Sequence, residues 1–445
     1  MQPVHNVRGT WAHVTDGPLV DRAQRMARLV AERTAANEDV TDHVLRAAEQ
    51  ARHPAGWYPP SLAGGQAGTA LLHLYAARAG LGDLATAHDH IREAVLSTQV
   101  EPLEGHGLFA GTSGLALALA DCTRDEPRFR PSLDRLHERL AQQVLDSGFP
   151  RTERGLADVD YDLVTGAAGT LSCLAAVEDP TEPVRRAVAE LVGYLVWLAE
   201  PALTPGTVHR WLITPEFYPP VGDYHAKYPH GYLNLGYSHG VPGVAAALAS
   251  AWEAGHRHPG QSAAVEALTT WIRARHHVDE YGPVWPDGIP VDEDGHEVTT
   301  GHGHDQFAWC YGSAGVAASL LTVANATGDE ELRTAAVDAF EGVLRRAEGT
   351  RLASPTLCHG QAGMVMLCQE FAPWSPAASE ALPRLLEDLL DYADPDRPLV
   401  FADQEVPGNF VDDPTLLTGA PGVALTLLAA VGEERPRWFR TFLGR

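Results

Sequence analysis

A short pattern, Gly-x-x-Gly followed by an apolar run of Ala, Leu and Val, recurs seven times along this chain. The copies open at Gly65, Gly111, Gly166, Gly240, Gly312, Gly360 and Gly419, at intervals of 46, 55, 74, 72, 48 and 59 residues. Such a repeat constrains the fold more than composition does, because each unit is one supersecondary element that buries its apolar side against its neighbours. The runs carry almost no charge, and a helix that is hydrophobic all round is a buried one. Between them lie stretches with a single apolar stripe. In residues 130–148, Leu133, Leu136, Leu140 and Val144 keep helical spacing, and Pro131 suits a first turn. Similar stretches begin at Val184, Gln261, Glu331 and Ala378. The unit is an outer amphipathic helix, a turn and an inner apolar helix. Seven such hairpins can close on themselves, with no need of capping repeats. The expectation is an all-α, seven-hairpin α/α toroid, a double ring of helices, forming one domain over residues 1–445.

Glycine at both positions has a steric reading, a tight helix start and close approach of inner helices. It also has an electrostatic one, in which seven helix N-termini converge at one mouth and favour anionic groups there. The two long intervals contain material that does not read as helix. Residues 201–235 are rich in Pro, Gly, Tyr and His, with a strand-like piece over Val208–Thr214. Residues 278–304 carry two Asp-Gly turn signals, Asp287-Gly288 and Asp294-Gly295, between strand-compatible flanks. Both read as excursions over one face of the ring, where long connections shape binding sites.

Charge narrows the function classes. The 445 residues carry a formal net charge of −25, which argues against nucleic acid or an anionic membrane as the main partner. Five cysteines make no disulfide framework and suit a reducing, cytoplasmic setting. The N-terminus lacks the apolar segment of a secretory signal, and the longest nearly uncharged apolar stretch, Leu191–Ala199, is too short to be a transmembrane segment.

Only some of the seven turns hold reactive side chains. The fifth copy is preceded by Trp309-Cys310-Tyr311, the sixth by Cys358-His359, the fourth by Ser238-His239, and the third by Asp162 four residues upstream. If the copies are equivalent, these residues face one mouth. Cys310, Cys358 and His359 then form a candidate zinc site whose fourth position stays open, the pattern of a catalytic zinc. Cys122, Cys173 and Cys368 lie inside inner-helix runs and read as small core hydrophobes. His239 suits general acid/base work beside such a site. Asp162 either orients His239 or carries a proton, or is a plain N-cap or solvated carboxylate, and Tyr311 either hydrogen-bonds a reacting oxygen or packs. The remaining histidines, His256, His258, His302 and His304 among them, read as solvated. Gly105–Ala110 reads as turn material, since no strand precedes it.

Seven Gly-x-x-Gly hairpins with Ser-His-Gly, Trp-Cys-Tyr-Gly and Cys-His-Gly at copies four to six resemble the lanthionine synthetase C family, the cyclases of lanthipeptide biosynthesis. The resemblance covers essentially the whole chain. It implies an α/α toroid with a small extension and one zinc ion at the mouth, held by Cys310, Cys358 and His359. It also implies that His239, Asp162 and Tyr311 match the family's remaining active-site residues. The implied reaction is Michael addition of a peptide Cys thiol to dehydroalanine or dehydrobutyrine, giving a thioether ring. The implied partners are a dehydrated precursor peptide with its leader and a lanthipeptide dehydratase. The chain departs from many bacterial members at Gln306, where they carry an Arg four residues before the first zinc Cys. No kinase-like or P-loop motif occurs, so the chain reads as a stand-alone cyclase. Three competing readings are a zinc- and thiol- or glutathione-binding scaffold without turnover, a prenyltransferase-like Cys-alkylating barrel of six hairpins, and a toroid glycosidase. The last needs paired carboxylates in place of the Cys pair.

Overall fold

Seven apolar helices of eight to fifteen residues form where the repeat places them: Gln66–Arg78, Thr112–Thr123, Ala167–Leu174, Val241–Glu253, Ser313–Thr327, Gln361–Phe371 and Ala420–Val431. The structure, a computed structural model, describes residues 11–444 apart from 53–55, 104, 154, 205, 221 and 299–305. His302 and His304, and the end of the second excursion, therefore lie outside the described residues. Each inner helix packs on the next, and Ala420–Val431 packs on Gln66–Arg78, so the inner ring is closed. In Val241–Glu253 every side chain from Val241 to Ala251 is buried, as all-round hydrophobicity requires.

The outer ring comprises Leu84–Ser97, Arg130–Asp146, Glu182–Ala199, Gln261–Arg273, Glu330–Arg346 and Pro376–Leu390, each packed on the inner helix that precedes it. The seventh outer helix is Gly17–Arg33, which comes before all copies of the repeat and packs on Ala420–Val431. The seven-hairpin toroid is thus as expected, and a six-hairpin barrel is excluded.

One backbone circuit ties the turns together. Ala63 N–H donates to Phe109 O (2.8 Å), Phe109 to Val164 (3.0 Å), Leu163 to Ser238 (3.0 Å) and Ser238 to Cys310 (3.4 Å). Cys310 donates to Cys358 (3.3 Å), Cys358 to Leu417 (3.1 Å), and Leu416 back to Ala63 (2.9 Å). Residues preceding each inner helix are therefore held in register around the mouth.

The second glycine of every copy answers to sterics. A Cβ there would stand between 2.0 Å (Gly169 on Leu163, Gly422 on Leu416) and 2.6 Å (Gly243 on Tyr237) from the carbonyl oxygen six residues upstream. Because the obstacle is backbone in all seven, a side chain cannot move it aside. Gly169→Ala is expected to lower unfolding free energy by about 3 kcal/mol, the upper range for overpacking. Urea denaturation checks this, and a loss below about 0.5 kcal/mol, the scale of an indifferent substitution, would count against the steric account.

The two excursions meet in one antiparallel sheet. Leu212–Ile213 pairs with Tyr232–Asn234, which pairs with Gly288–Pro290. The strand expected over Val208–Thr214 is shorter, limited to Leu212–Ile213. Asp294-Gly295 does turn the chain, with Gly295 at φ 83°. Asp287-Gly288 does not: Gly288 opens a strand, and a Cβ there would stand 2.7 Å from the Tyr232 ring. The turn sits instead between His277–Asp279 and Gly282–Val284. A further hairpin, Asp403–Val406 with Asn409–Val411, lies between copies six and seven.

Glu297 pins the second excursion to the outer ring. It accepts from Trp271 Nε1 (2.8 Å), from Arg275 Nε (2.9 Å) and NH2 (2.7 Å), and faces His209 Nε2 at 3.2 Å. Burial pushes its carboxyl up, but the hydrogen bonds from His209, Arg275 and Trp271 outweigh it and hold the group at about 2 against an ordinary 4.5. A depressed folded value stabilises the fold above the unfolded value and is lost as pH falls through the folded one. Stability from this carboxylate should therefore drain away between pH 4.5 and about 2. Glu297→Gln should flatten that part of an acid-unfolding curve; an unaltered slope would remove Glu297 from the anchor.

Candidate functional site

The register of the mouth brings the third, fourth, fifth and sixth turns side by side. Asp162 is fully buried, and its Oδ1 accepts from the N–H groups of Thr165 and Gly166, both at 2.7 Å. That closes the turn preceding Ala167–Leu174, ahead of the helix's own first N–H groups. Its Oδ2 is left for His239, whose Nδ1 lies 2.6 Å away. Asp162 thus stands where it can orient His239, and it is neither a helix cap nor a solvated carboxylate. Burial lowers the affinity of His239 for a proton, but the hydrogen bond and charge of Asp162 outweigh it, aided by Asp158 and Cys310, and the net shift is upward. The imidazole is about one-third exposed, so its ring reaches solvent while its partner does not.

Tyr311 lies across Gly236, where a Cβ would stand 2.5 Å from the tyrosine ring. Its hydroxyl accepts from Asn234 Nδ2 at 3.1 Å, and its ring centroid is 6.3 Å from that of His239. Tyr311 therefore both packs and presents a held hydroxyl to the mouth.

Cys310 and Cys358 are neighbours through the backbone circuit and through their sulfurs. The Cys358 thiol hydrogen-bonds Cys310, which that contact first, and then the charges of His359 and His239, hold below the ordinary thiol range despite burial. The same contact, with burial, pushes Cys358 up. The shared contact thus splits the two thiols, holding Cys310 down and Cys358 up. Cys122, Cys173 and Cys368 are buried, with burial raising their thiols to about 12, 11 and 12, as core residues should be. His359 turns Nε2 toward Asp403 Oδ1 at 3.5 Å, and that contact raises its proton affinity above the opposing effect of burial. Asp403 is in turn held by the Ser354 hydroxyl at 2.6 Å.

Among the described residues, no three His, Cys, Asp or Glu side chains converge closely enough to hold a metal ion. The donor chemistry nevertheless suits zinc: two adjacent thiols, one inclined to thiolate, and a histidine whose second nitrogen is oriented by a carboxylate. Asp403 and Asn234 were not evident in the sequence. Each lies in a short strand segment that carries no repeat or ligand spacing.

Two cavities flank these residues. One of about 220 Å³ is bounded by His359, Asp403, Asp413, Trp57 and the helix Asn37–Gln50. The other, about 650 Å³, is bounded by Tyr311, Gln306 and three tyrosines of the first excursion, Tyr224, Tyr228 and Tyr232. Gln306 donates to Asp287 Oδ2 at 2.9 Å, and Lys227, the cation lining this cavity, lies 3.5 Å from the same oxygen. Of the histidines expected to be solvated, His225, His230, His276 and His296 are exposed, whereas others are partly or fully covered. His256 and His258 bond backbone carbonyls of Ala175 and Pro259, and His73 and His90 form a buried stacked pair with ring centroids 4.8 Å apart.

Comparison with known proteins bears on the family and the fold. The profile of the family described as "Lanthionine synthetase C-like protein" matches residues 56–443. The "Nisin biosynthesis protein NisC" of Lactococcus lactis subsp. lactis is 24% identical over 266 residues, 59% of this chain, and the match spans 62% of that protein's length. A solved structure of "Nisin cyclase" superposes with a TM-score of 0.73 at 20% identity, covering 92% of this chain and 97% of that one, which shows a shared fold. No described helix is long and apolar enough to cross a membrane. With the family profile matched from the first repeat to the last, the chain belongs to the lanthionine synthetase C-like family.

Proposed function

We propose that this protein is a zinc-dependent lanthipeptide cyclase that closes thioether rings in a dehydrated precursor peptide. The observation that carries this reading is the 2.6 Å Asp162–His239 pair standing beside the adjoining Cys310 and Cys358 sulfurs at one mouth. In the reaction a peptide Cys loses its thiol proton, its sulfur bonds to the β-carbon of a dehydroalanine or dehydrobutyrine, the C=C bond opens, and a proton is added at the α-carbon. Nothing is gained or lost overall, so the product has the mass of the substrate.

Cys310, Cys358 and His359 would hold the zinc, with Asp403 fixing the orientation of His359. When bound, zinc would supply the positive charge that keeps a substrate sulfur deprotonated near neutral pH, where a free thiol of pKa about 8.5 is mostly protonated. His239, held by Asp162, would deliver the proton to the α-carbon, and Tyr311, held by Asn234, would donate to the carbonyl oxygen on which charge develops. The two flanking cavities would take the peptide on either side of the reacting residues. A separate dehydratase must act first, because the acceptor alkene is made by removing water from Ser or Thr. The setting we propose is cytoplasmic.

The test is to incubate the zinc-loaded protein with a peptide bearing one dehydroalanine and one downstream cysteine. Turnover leaves the mass unchanged and removes the thiol from reaction with an alkylating agent. A peptide that binds yet stays fully alkylatable would leave only a thiol-binding scaffold.

A further inference from the structure

The chain carries a net charge of −25, yet one cavity on the far side of the ring is lined by four arginines. It measures about 260 Å³ and lies at the C-terminal ends of the inner helices Thr112–Thr123 and Ala167–Leu174, away from the mouth where His239 and Cys310 sit. Its cations are Arg124, Arg130, Arg437 and Arg440; its carboxylate is Glu178, which is exposed. Like charges gathered this closely repel unless something offsets them. Arg130 has Asp134 at 2.8 Å, and Arg437 has Asp121 at the longer distance of 3.7 Å. Among the described residues, the guanidinium groups of Arg124 and Arg440 have neither a carboxylate partner nor a helix-end carbonyl, and Arg440 Nε is buried without a hydrogen-bond partner. A simple match of cations to helix C-termini would bond those carbonyls, which these two side chains do not do.

We infer that this cavity binds a small anion carrying two or more negative charges, of the phosphate or dicarboxylate class. Guanidinium forks match both, and several converging forks supply more donors than a single carboxylate accepts. The neighbouring charges bear the crowding out. Burial first, and then Arg440 and Arg124, hold Arg437 below the ordinary guanidinium value, against the opposing pull of Asp121. Burial, with Arg130 and Arg440 adding to it, lowers His137 to about 4.

The site is joined to the mouth by one short helix. Arg440 lies on Phe439–Leu443, which fills the centre of the ring. There the Phe442 carbonyl accepts from Trp309 Nε1 at 2.6 Å, and the Leu443 carbonyl from the Tyr237 hydroxyl at 2.7 Å. Trp309 precedes Cys310, and Tyr237 lies two residues before His239. An anion bridging Arg124 on the ring to Arg440 on this helix ties down the segment that backs both.

Thermal unfolding of the full chain, titrated with inorganic phosphate and separately with succinate, tests this without any cyclisation assay, so it stands or falls apart from the proposed reaction. Expected is a saturable rise in melting temperature with at least one of the two, above that given by sodium chloride at matched ionic strength. Arg124→Ala, at an exposed position outside the plugging helix, should weaken half-saturation about tenfold or more, the scale of one lost charge-assisted hydrogen bond. Arg440→Gln should do the same, and where it unseats the helix Arg124→Ala decides alone. A rise that chloride reproduces, or saturation unchanged in Arg124→Ala, overturns the site.

Discussion

Cys310→Ala is expected to lose bound zinc and ring formation together, with kcat/KM reduced about 10³-fold or more, which is about 4 kcal/mol of transition-state stabilisation. Cys310 is the sulfur held toward thiolate by the Cys358 thiol, and it has no substitute within the circuit of turns. Cys358→Ala should behave alike, since removing either partner leaves two donors. The control is Cys368→Ala: that thiol is fully buried, raised to about 12 by burial, and should keep both metal and turnover. Metal analysis beside a rate assay reads all three. Undiminished zinc in Cys310→Ala would defeat the ligand assignment even if the rate fell.

His239→Ala should separate the two halves of the site, keeping its zinc while slowing cyclisation about 10²-fold or more, the usual scale for a general acid. Asp162 offers a finer probe. Its Oδ1 closes the turn before a helix and its Oδ2 holds His239, so deletion to alanine would confuse folding with catalysis. Asp162→Asn keeps one oxygen for the two backbone N–H groups and takes away the charge at the histidine. It should therefore leave the melting temperature near that of the parent while lowering the rate about 10- to 100-fold, the effect expected of a residue that orients and charges another. It should also shift the pH at which the rate falls off downward, because the carboxylate that raises the proton affinity of His239 is gone. A rate unchanged in both variants would remove the pair from the mechanism.

How far the sequence could be read follows from where its signals are local. The inner ring was legible because each copy repeats the same steric demand, two glycines and an uncharged run, and the structure shows a backbone carbonyl facing the second glycine every time. The reactive turns were legible because the repeat aligned them, and Ser238, Cys310 and Cys358 do lie in consecutive hydrogen-bonded turns. Closure of the outer ring by Gly17–Arg33 was not, because that helix stands outside the repeat and pairs with the inner helix at the far end of the chain. Phe439–Leu443 is too short to show a period, so nothing announced that it fills the centre. Asp287-Gly288 misled because glycine serves there to let a strand pass under Tyr232, and a dipeptide cannot say which of its uses applies. Asp403 depends on a hairpin whose pairing is set by the fold, and no spacing marks it as a partner of His359.

We propose that Cys310, Cys358 and His359 hold one zinc ion and leave it room for a sulfur from the substrate. X-ray absorption at the zinc edge of the purified protein, before and after addition of a thiol-bearing dehydrated peptide, reads that coordination. Two sulfur and two lighter scatterers are expected at first, and three sulfurs once the peptide is present. A zinc already surrounded by four protein donors and indifferent to the peptide, or a protein that takes up no zinc, would contradict it.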